Sequence, residues 1–339
     1  MVVVMQPDVD IRQVDAVQAR LRDWGFEVHR SRGTQYTILG AIGDKGGVDA
    51  TSLEAMPGVR EVVEISEPYK LASRTFHPDG TIVDLDGVRI GNGSLAVIAG
   101  PCSVEHPERM HEIAGCVSEH GGTILRGGAF KPRTSPHSFQ GLGEEGLKTL
   151  REAADANGLR VVTEALCPSQ VDLVAQYADI VQIGARNMQN YRLLEAVGHI
   201  EQPVLLKRGL SATLEEWLLA AEYVMSGGNR DVILCERGIR TYGDHTRFTL
   251  DVGAIAVAKR RSHLPVVVDP SHAAGDRDLV IPLAIAGVAA GADGVMVEIH
   301  TDPERAWSDG LQALTPPLWA DLAQQILAQN GTRAAVEVV

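Results

Sequence analysis

The 339-residue sequence predicts an α/β protein, a closed (β/α)8 TIM barrel preceded by a small ferredoxin-like α+β domain. Three observations carry that expectation. Eight short apolar runs recur along most of the chain: LAVIAG, GTILRGG, RVVTEA, DIVQIG, PVLLKRG, DVILCERG, PVVVDPSH and GVMVEIH, with cores near residues 97, 124, 162, 182, 205, 233, 267 and 296. Most are separated by enough residues for a loop and a helix, the spacing that parallel strands require. Closing such a sheet buries both faces of every Val/Ile/Leu-rich strand and leaves no edge. The G-x-G-x-x-G fingerprint of an open, doubly wound sheet is missing after the first of these runs. The amino-terminal segment follows a different order, βαββαβ.

That first segment begins with VVVMQ and an amphipathic stretch from Asp10 to Trp24. EVHRSR, YTILGAIG, a short helix around Asp49 to Met56, and VREVVEI complete it. The expected domain spans residues 1–65, where two helices cover one face of a four-stranded antiparallel sheet. A polar, irregular run, SEPYKLASRTFHPD, marks residues 66–79 as a linker, and the barrel occupies 80–339. TIVDLDGVRIG reads as a hairpin about Asp86-Gly87 that closes one barrel end.

Composition bounds the function. With 31 Lys plus Arg against 44 Asp plus Glu, the net charge is −13, which argues against nucleic-acid or acidic-membrane binding. No apolar run approaches spanning length and no signal-peptide pattern opens the chain, so a cytoplasmic protein is expected. The four cysteines are scattered, without a CxxC pair, and point away from a disulfide framework.

Nearly every barrel run ends in a polar cluster: Pro101-Cys102, Arg126, Glu164, Arg186, Lys207-Arg208, Glu236-Arg237, Asp269 to His272, and Glu298 to His300. Any one of these reads equally well as a solvated strand end. Repetition on so many strands argues for convergence at the carboxyl-terminal mouth, where active sites of this fold are built. Arg126, Lys131, Arg133, Arg186, Lys207 and Arg237 then suit phosphate and carboxylate groups. Six cations exceed the need of one small anion, which points to a multiply charged ligand or two phosphorylated ligands.

Cys102, His272, Glu298 and Asp309 offer a thiolate, an imidazole and two carboxylates, a set able to hold a divalent transition metal. By spacing alone the set is weak. A Cys after Pro is also a small packed hydrophobe, His272 a catalytic acid or a loop histidine, and Asp309 a helix cap.

Taken together, the residues resemble the type I 3-deoxy-D-arabino-heptulosonate 7-phosphate (DAHP) synthases, in the subgroup with a ferredoxin-like regulatory domain. The resemblance rests on AGPCSVE (99–105), LRGGAFKPRTSPHSFQGLG (125–143), VTEA (162–165), QIGARNMQN (182–190), LLKRG (205–209), CERGIRTY (235–242), VDPSHAAG (268–275) and VEIHTDPERAWSDG (297–310). It implies condensation of phosphoenolpyruvate with erythrose 4-phosphate, the first step of the shikimate pathway. It places Arg126, Lys131, Arg186, Lys207 and Arg237 around phosphoenolpyruvate, Arg133 and Thr134, with Ser135 nearby, at the aldose phosphate, and Glu164 and Ala185 among the substrate contacts. It makes Cys102, His272, Glu298 and Asp309 the ligands of a metal, Mn²⁺ by preference, with Fe²⁺, Co²⁺ and Zn²⁺ as alternatives. Lys131, Glu164 and His272 are the expected proton-handling groups.

The nearest rival is 3-deoxy-D-manno-octulosonate 8-phosphate synthase, whose loop carries a KANR-like sequence where this chain has Lys131-Pro132-Arg133. A Schiff-base aldolase using Lys207 and a noncatalytic metabolite-binding barrel are further alternatives. The resemblance also implies inhibition by tyrosine or phenylalanine; His29 and Ser31, which strand alternation puts on one face, read either as regulatory contacts or as a solvated strand face. A homotetramer follows from the same resemblance, and a chorismate mutase acting in trans is compatible with it.

Overall fold

The computed structural model describes residues 1–32, 36–43, 50–63, 67–133 and 135–333. The chain falls into two compact units, Met1–Thr81 with Arg260–His263, and Ile82–Lys259 with Leu264–Val339.

The first unit contains β1 (Val2–Met5), α1 (Ile11–Asp23), β2 (Glu27–Arg32), β3 (Thr37–Ile42), α2 (Ala50–Glu54) and β4 (Val59–Val63). The sheet is antiparallel in the order β2-β3-β1-β4, the ferredoxin-like arrangement. α1 starts on a capping box in which Asp10 and Gln13 satisfy each other's backbone donors. Val14, Val17 and Leu21, at helical spacing, put one face of α1 against Val3, Met5, Val28 and Leu39.

The stretch from 67 to 79 differs from a loose tether. It forms turns, yet Tyr69, Leu71, Ala72 and Phe76 are buried. Its backbone is held as well, because Ser262 Oγ donates to the Ala72 carbonyl and His263 Nε2 to that of Leu71, both at 2.6 Å. Its polar composition hides four apolar side chains that drive this packing.

In the second unit, β5 (Val83–Leu85) and β6 (Val88–Ile90) form the expected hairpin. Asp86 (φ 48°) and Gly87 (φ 97°) both lie in the left-handed region, as a type I′ turn requires. The eight apolar runs are β7 (Ala96–Gly100), β8 (Ile124–Arg126), β9 (Arg160–Glu164), β10 (Ile180–Ile183), β11 (Val204–Lys207), β12 (Val232–Glu236), β13 (Val266–Val268) and β14 (Gly294–Glu298). All pair in parallel, and β14 closes on β7 with Gly294 opposite Ala96 and Glu298 opposite Gly100. Among the described residues no helix is long and apolar enough to cross a membrane.

The hairpin plugs the barrel. Val83, Leu85 and Ile90 pack with Ala96, Ile98, Ile124, Val162, Ile180, Leu205, Ile233, Val267 and Met296 in one apolar cluster. Arg160, at the start of β9, donates to the Asp86 carbonyl at 3.3 Å, which sets the hairpin at the strands' amino-terminal ends. This end of the barrel interior is closed by apolar side chains. Ile90→Ala, which opens a void in the plug, is expected to destabilise the protein by about 2–5 kcal/mol. Urea unfolding measures it, and an unchanged midpoint means that the hairpin lies outside the cooperative barrel.

Candidate active site

Side chains alternate along a strand, so a charged dipeptide at a strand end sends one member inward. Lys207 and Arg237 line a cavity of about 210 Å³ at the carboxyl-terminal mouth. Arg208 turns away from it and bonds Glu236 (2.8 Å) and Asp251 (2.9 Å), a structural knot beside the site. Arg126, Lys131, Arg133 and Arg186 line the same cavity, as do Glu164, Ala185, His272 and Asp309. All six expected cations therefore converge, and Arg247 makes a seventh.

Buried carboxylates hold the floor. Arg126 Nη1 lies 2.6 Å from Glu298 Oε1, and Lys207 Nζ lies 2.5 Å from Asp269 Oδ2. Burial by itself would raise the Glu298 carboxyl, but His272, Arg126 and Lys131 outweigh it and bring the group to about 2. Asp269 follows the same logic: burial opposes ionisation, yet His272 and Lys207 pull it well below the ordinary aspartate value. Glu164 goes the other way. Burial raises its carboxyl, only partly offset by Lys131 and Lys207, while Gln182 Nε2 donates to Oε2 at 3.0 Å. A Cβ at position 184 would fall 2.1 Å from Glu164 Oε1, so the glycine there makes room for this carboxyl.

Cys102, Glu298 and Asp309 bring a sulfur and two carboxylate oxygens within 4.8 Å of one another. The Cys102 thiol donates to Asp309 Oδ2 at 3.2 Å, and burial, with Glu298 nearby, pushes it up to about 12. Crowding of potential anions around a buried thiol suits a divalent cation, which would favour the thiolate and offset carboxylate repulsion. His272 stands at the edge of this group. Its Nδ1 is 2.8 Å from Asp269 Oδ2 and its Nε2 is 3.4 Å from Glu298 Oε1. Asp269 also accepts the His272 backbone N–H at 3.1 Å, so one carboxylate orients both ring and backbone. Lys131 Nζ donates to the Cys102 carbonyl (2.8 Å) and sulfur (3.0 Å), linking the loop to the donor group.

Some expectations need amendment. Ser135 does not line the cavity; its hydroxyl accepts from the His137 N–H, and Ser138 lines the wall instead. Thr134 lies outside the described residues. Asp309 makes no side-chain cap to the following 3₁₀ turn, which removes its helix-cap reading. In the first unit, Ser31 lines a separate cavity of about 270 Å³ with Tyr36, Ile38 and Arg60, whereas His29 sits 3.0 Å from Glu27 and does not line it.

Sequence reasoning missed Gln182, Asp269, Arg247, Phe248 and Gln312 as site residues. Gln182 and Asp269 sit inside motifs already noted. Arg247, Phe248 and Gln312 fall outside them, and only the folded loops bring them in. Arg237 Cζ lies 4.4 Å from the Phe248 ring centroid, a cation–π contact that seats the guanidinium.

A barrel whose mouth joins a sulfur and carboxylate donor group to seven cations defines an anion-binding enzyme of the metal-assisted class. The profile of the DAHP synthetase I family matches residues 71–331, and that of the DAHP synthase ferredoxin-like domain matches 1–67. The chain belongs to the DAHP synthetase I family. It is 52% identical over 326 residues to phospho-2-dehydro-3-deoxyheptonate aldolase of Thermotoga maritima, covering 96% of each chain. A crystal structure of that aldolase (DAHP synthase) from the same organism superposes with a TM-score of 0.78 at 51% identity, covering 98% of this chain and 97% of the other. A 2-dehydro-3-deoxyphosphooctonate aldolase of Desulfatibacillum aliphaticivorans is 34% identical over 262 residues, 72% of this chain and 95% of its own.

The Asp269–Lys207 pair predicts a pH effect. Because the folded carboxyl titrates below its ordinary value of 3.8, its stabilisation is complete above that pH and is lost as pH falls through the folded value. Asp269→Asn, which leaves Lys207 buried without its counter-ion, is expected to cost about 3–5 kcal/mol at neutral pH. In urea unfolding the gap between variant and wild type should close below pH 3.8; a gap independent of pH contradicts the assignment.

Proposed function

We propose that this site joins phosphoenolpyruvate to erythrose 4-phosphate, giving 3-deoxy-D-arabino-heptulosonate 7-phosphate and inorganic phosphate. The observation that carries the reading is the seven-cation cavity set over the buried sulfur and carboxylate group. Two phosphorylated substrates repel each other, and such a wall offsets the repulsion while holding them in reacting order. Among the described residues Arg133 and Arg186 have no carboxylate within ion-pair distance, which leaves their guanidinium forks for ligand oxyanions.

Cys102, His272, Glu298 and Asp309 would hold the metal, which supplies Lewis acidity toward the aldehyde oxygen of the aldose. Arg126, Lys131, Arg186, Lys207 and Arg237 would grip phosphoenolpyruvate, and Arg133 the aldose phosphate. The enol carbon of phosphoenolpyruvate forms the new bond to the aldehyde carbon, water adds at C2, and phosphate leaves with C–O cleavage. Glu164, whose proton affinity burial raises, is suited to take a proton from that water. Lys131 is suited to donate toward a developing oxyanion. Lys207 is ion-paired with Asp269, which suits electrostatic binding better than the neutral amine a Schiff base needs.

The loop sequence Lys131-Pro132-Arg133 and the matching ferredoxin-like unit favour the heptulosonate over the octulosonate product. With Mn²⁺ supplied, phosphate release should be faster with erythrose 4-phosphate than with arabinose 5-phosphate; the reverse preference overturns the reading. Arg186→Ala should lower kcat/KM by about 10- to 100-fold, the loss of one charge-assisted contact.

Residues 1–65 are read as a regulatory domain in a homotetramer, joined through 66–79 to a catalytic barrel of 80–339. Ser31, in its own cavity beside Tyr36 and Arg60, supports an effector contact on that unit. Tyrosine or phenylalanine should slow phosphate release by the full-length protein, and Ser31→Ala should weaken that inhibition while leaving the uninhibited rate unchanged. Equal inhibition of both proteins places the effector elsewhere.

A further inference from the structure

Gln312 is almost fully buried, at 2% exposure, between groups of opposite character. Its Nε2 donates to Glu298 Oε2 at 2.6 Å, and its Oε1 accepts from Arg247 Nη1 at 2.9 Å. A carboxylate can only accept and a guanidinium can only donate, so this pair of neighbours leaves the amide one satisfactory orientation. Glutamate would set oxygen against oxygen at Glu298, and an apolar side chain would satisfy neither neighbour. The same Arg247 nitrogen also reaches Asp309 Oδ1 at 3.4 Å.

Arg247 is itself held in place. Its backbone N–H donates to the Ala274 carbonyl (3.0 Å), and that of Phe248 donates to Ala273 (2.8 Å). Both carbonyls end the short helix Pro270–Ala274 that carries His272. A Cβ on Gly275 (φ 71°) would fall 2.6 Å from Arg247 Cβ, so glycine there permits the close approach as well as the turn. On the other side, Arg277 Nη2 donates to the Gly310 carbonyl at 3.0 Å, between Asp309 and Gln312.

We propose that Arg247 and Gln312 are positioning residues for the carboxylates of the donor group: Arg247 orients the Gln312 amide toward Glu298 and restrains Asp309, so that both oxygens are set before metal or substrate arrives. The inference rests on the metal-dependent reading of this site. Its chemical logic is that of an outer layer, in which neighbours of a ligating carboxylate set its direction and their loss weakens metal affinity.

The test measures Mn²⁺ affinity of the full-length protein by equilibrium dialysis without substrates, so that binding of anions to Arg247 plays no part. Gln312→Met keeps the volume and removes both hydrogen bonds; it should raise the Kd by about 10- to 100-fold. Arg247→Gln, at a partly exposed position that does not threaten folding, should raise it in the same direction. The double variant should lose less than the product of the two single losses, because one acts largely through the other. With Co²⁺ bound, both single variants should alter the visible absorption spectrum. A Kd within twofold of wild type in both singles, or a double loss equal to the product, overturns the proposal. So does a rise in substrate KM for Arg247→Gln with metal affinity and spectrum unchanged, since that makes Arg247 a substrate ligand only. If the wild-type chain takes up no Mn²⁺ or Co²⁺, the metal-dependent reading falls too, which separates the two failures.

Discussion

Charge compensation below the cavity is the constraint on which the site depends. Seven cations around about 210 Å³ would repel one another and resist burial. Glu298 and Asp269 answer at the floor, each within ion-pair distance of a buried cation and of the His272 ring. These pairs need not add net stability to the fold, since desolvation offsets much of their attraction. Their effect is positional. They set Arg126 and Lys207 as donors facing the cavity, whereas Arg133 and Arg186 line it with no carboxylate partner among the described residues.

The scaffold makes this arrangement sustainable. Eight parallel strands end at one mouth, so paired residues of β7 and β14, such as Ala96 and Gly294, 198 positions apart in sequence, become neighbours. The hairpin of β5 and β6 fills the other end with apolar side chains. The cation-lined cavity thereby sits at one end of an apolar core. Period-two alternation then separates cavity-facing from structural charge: Lys207 faces the cavity, while Arg208 ties Glu236 to Asp251.

Glu164 and the donor group show how environment differentiates carboxyl groups within one cavity. Glu298 is held ionised by three cationic or imidazole neighbours, whereas Glu164 is raised by burial despite Lys131 and Lys207 nearby. One is suited to hold positive charge, the other to exchange a proton. The two tasks coexist because ion pairing dominates at one position and desolvation at the other.

Much of this was legible in the sequence. The eight apolar runs carried their strand identity in local composition, and the polar residues immediately after them marked the mouth, because strand direction alone decides where they emerge. Residue type by itself pointed to oxyanions and to a mixed sulfur, nitrogen and oxygen ligand set. Other features required the folded chain. That residues 67 to 79 pack four apolar side chains was hidden by their polar surroundings. Ser135 was the serine expected at the aldose phosphate, but Ser138 is the one that lines the cavity. Arg247 and Gln312 had no motif, since their significance lies in partners brought from other loops. The sequence by itself determined which local elements form and which chemistry their ends carry, for those depend on side-chain type and period. Only the tertiary structure decided which charges neutralise each other and which remain free for ligands, because that depends on distances of a few ångströms between residues remote along the chain.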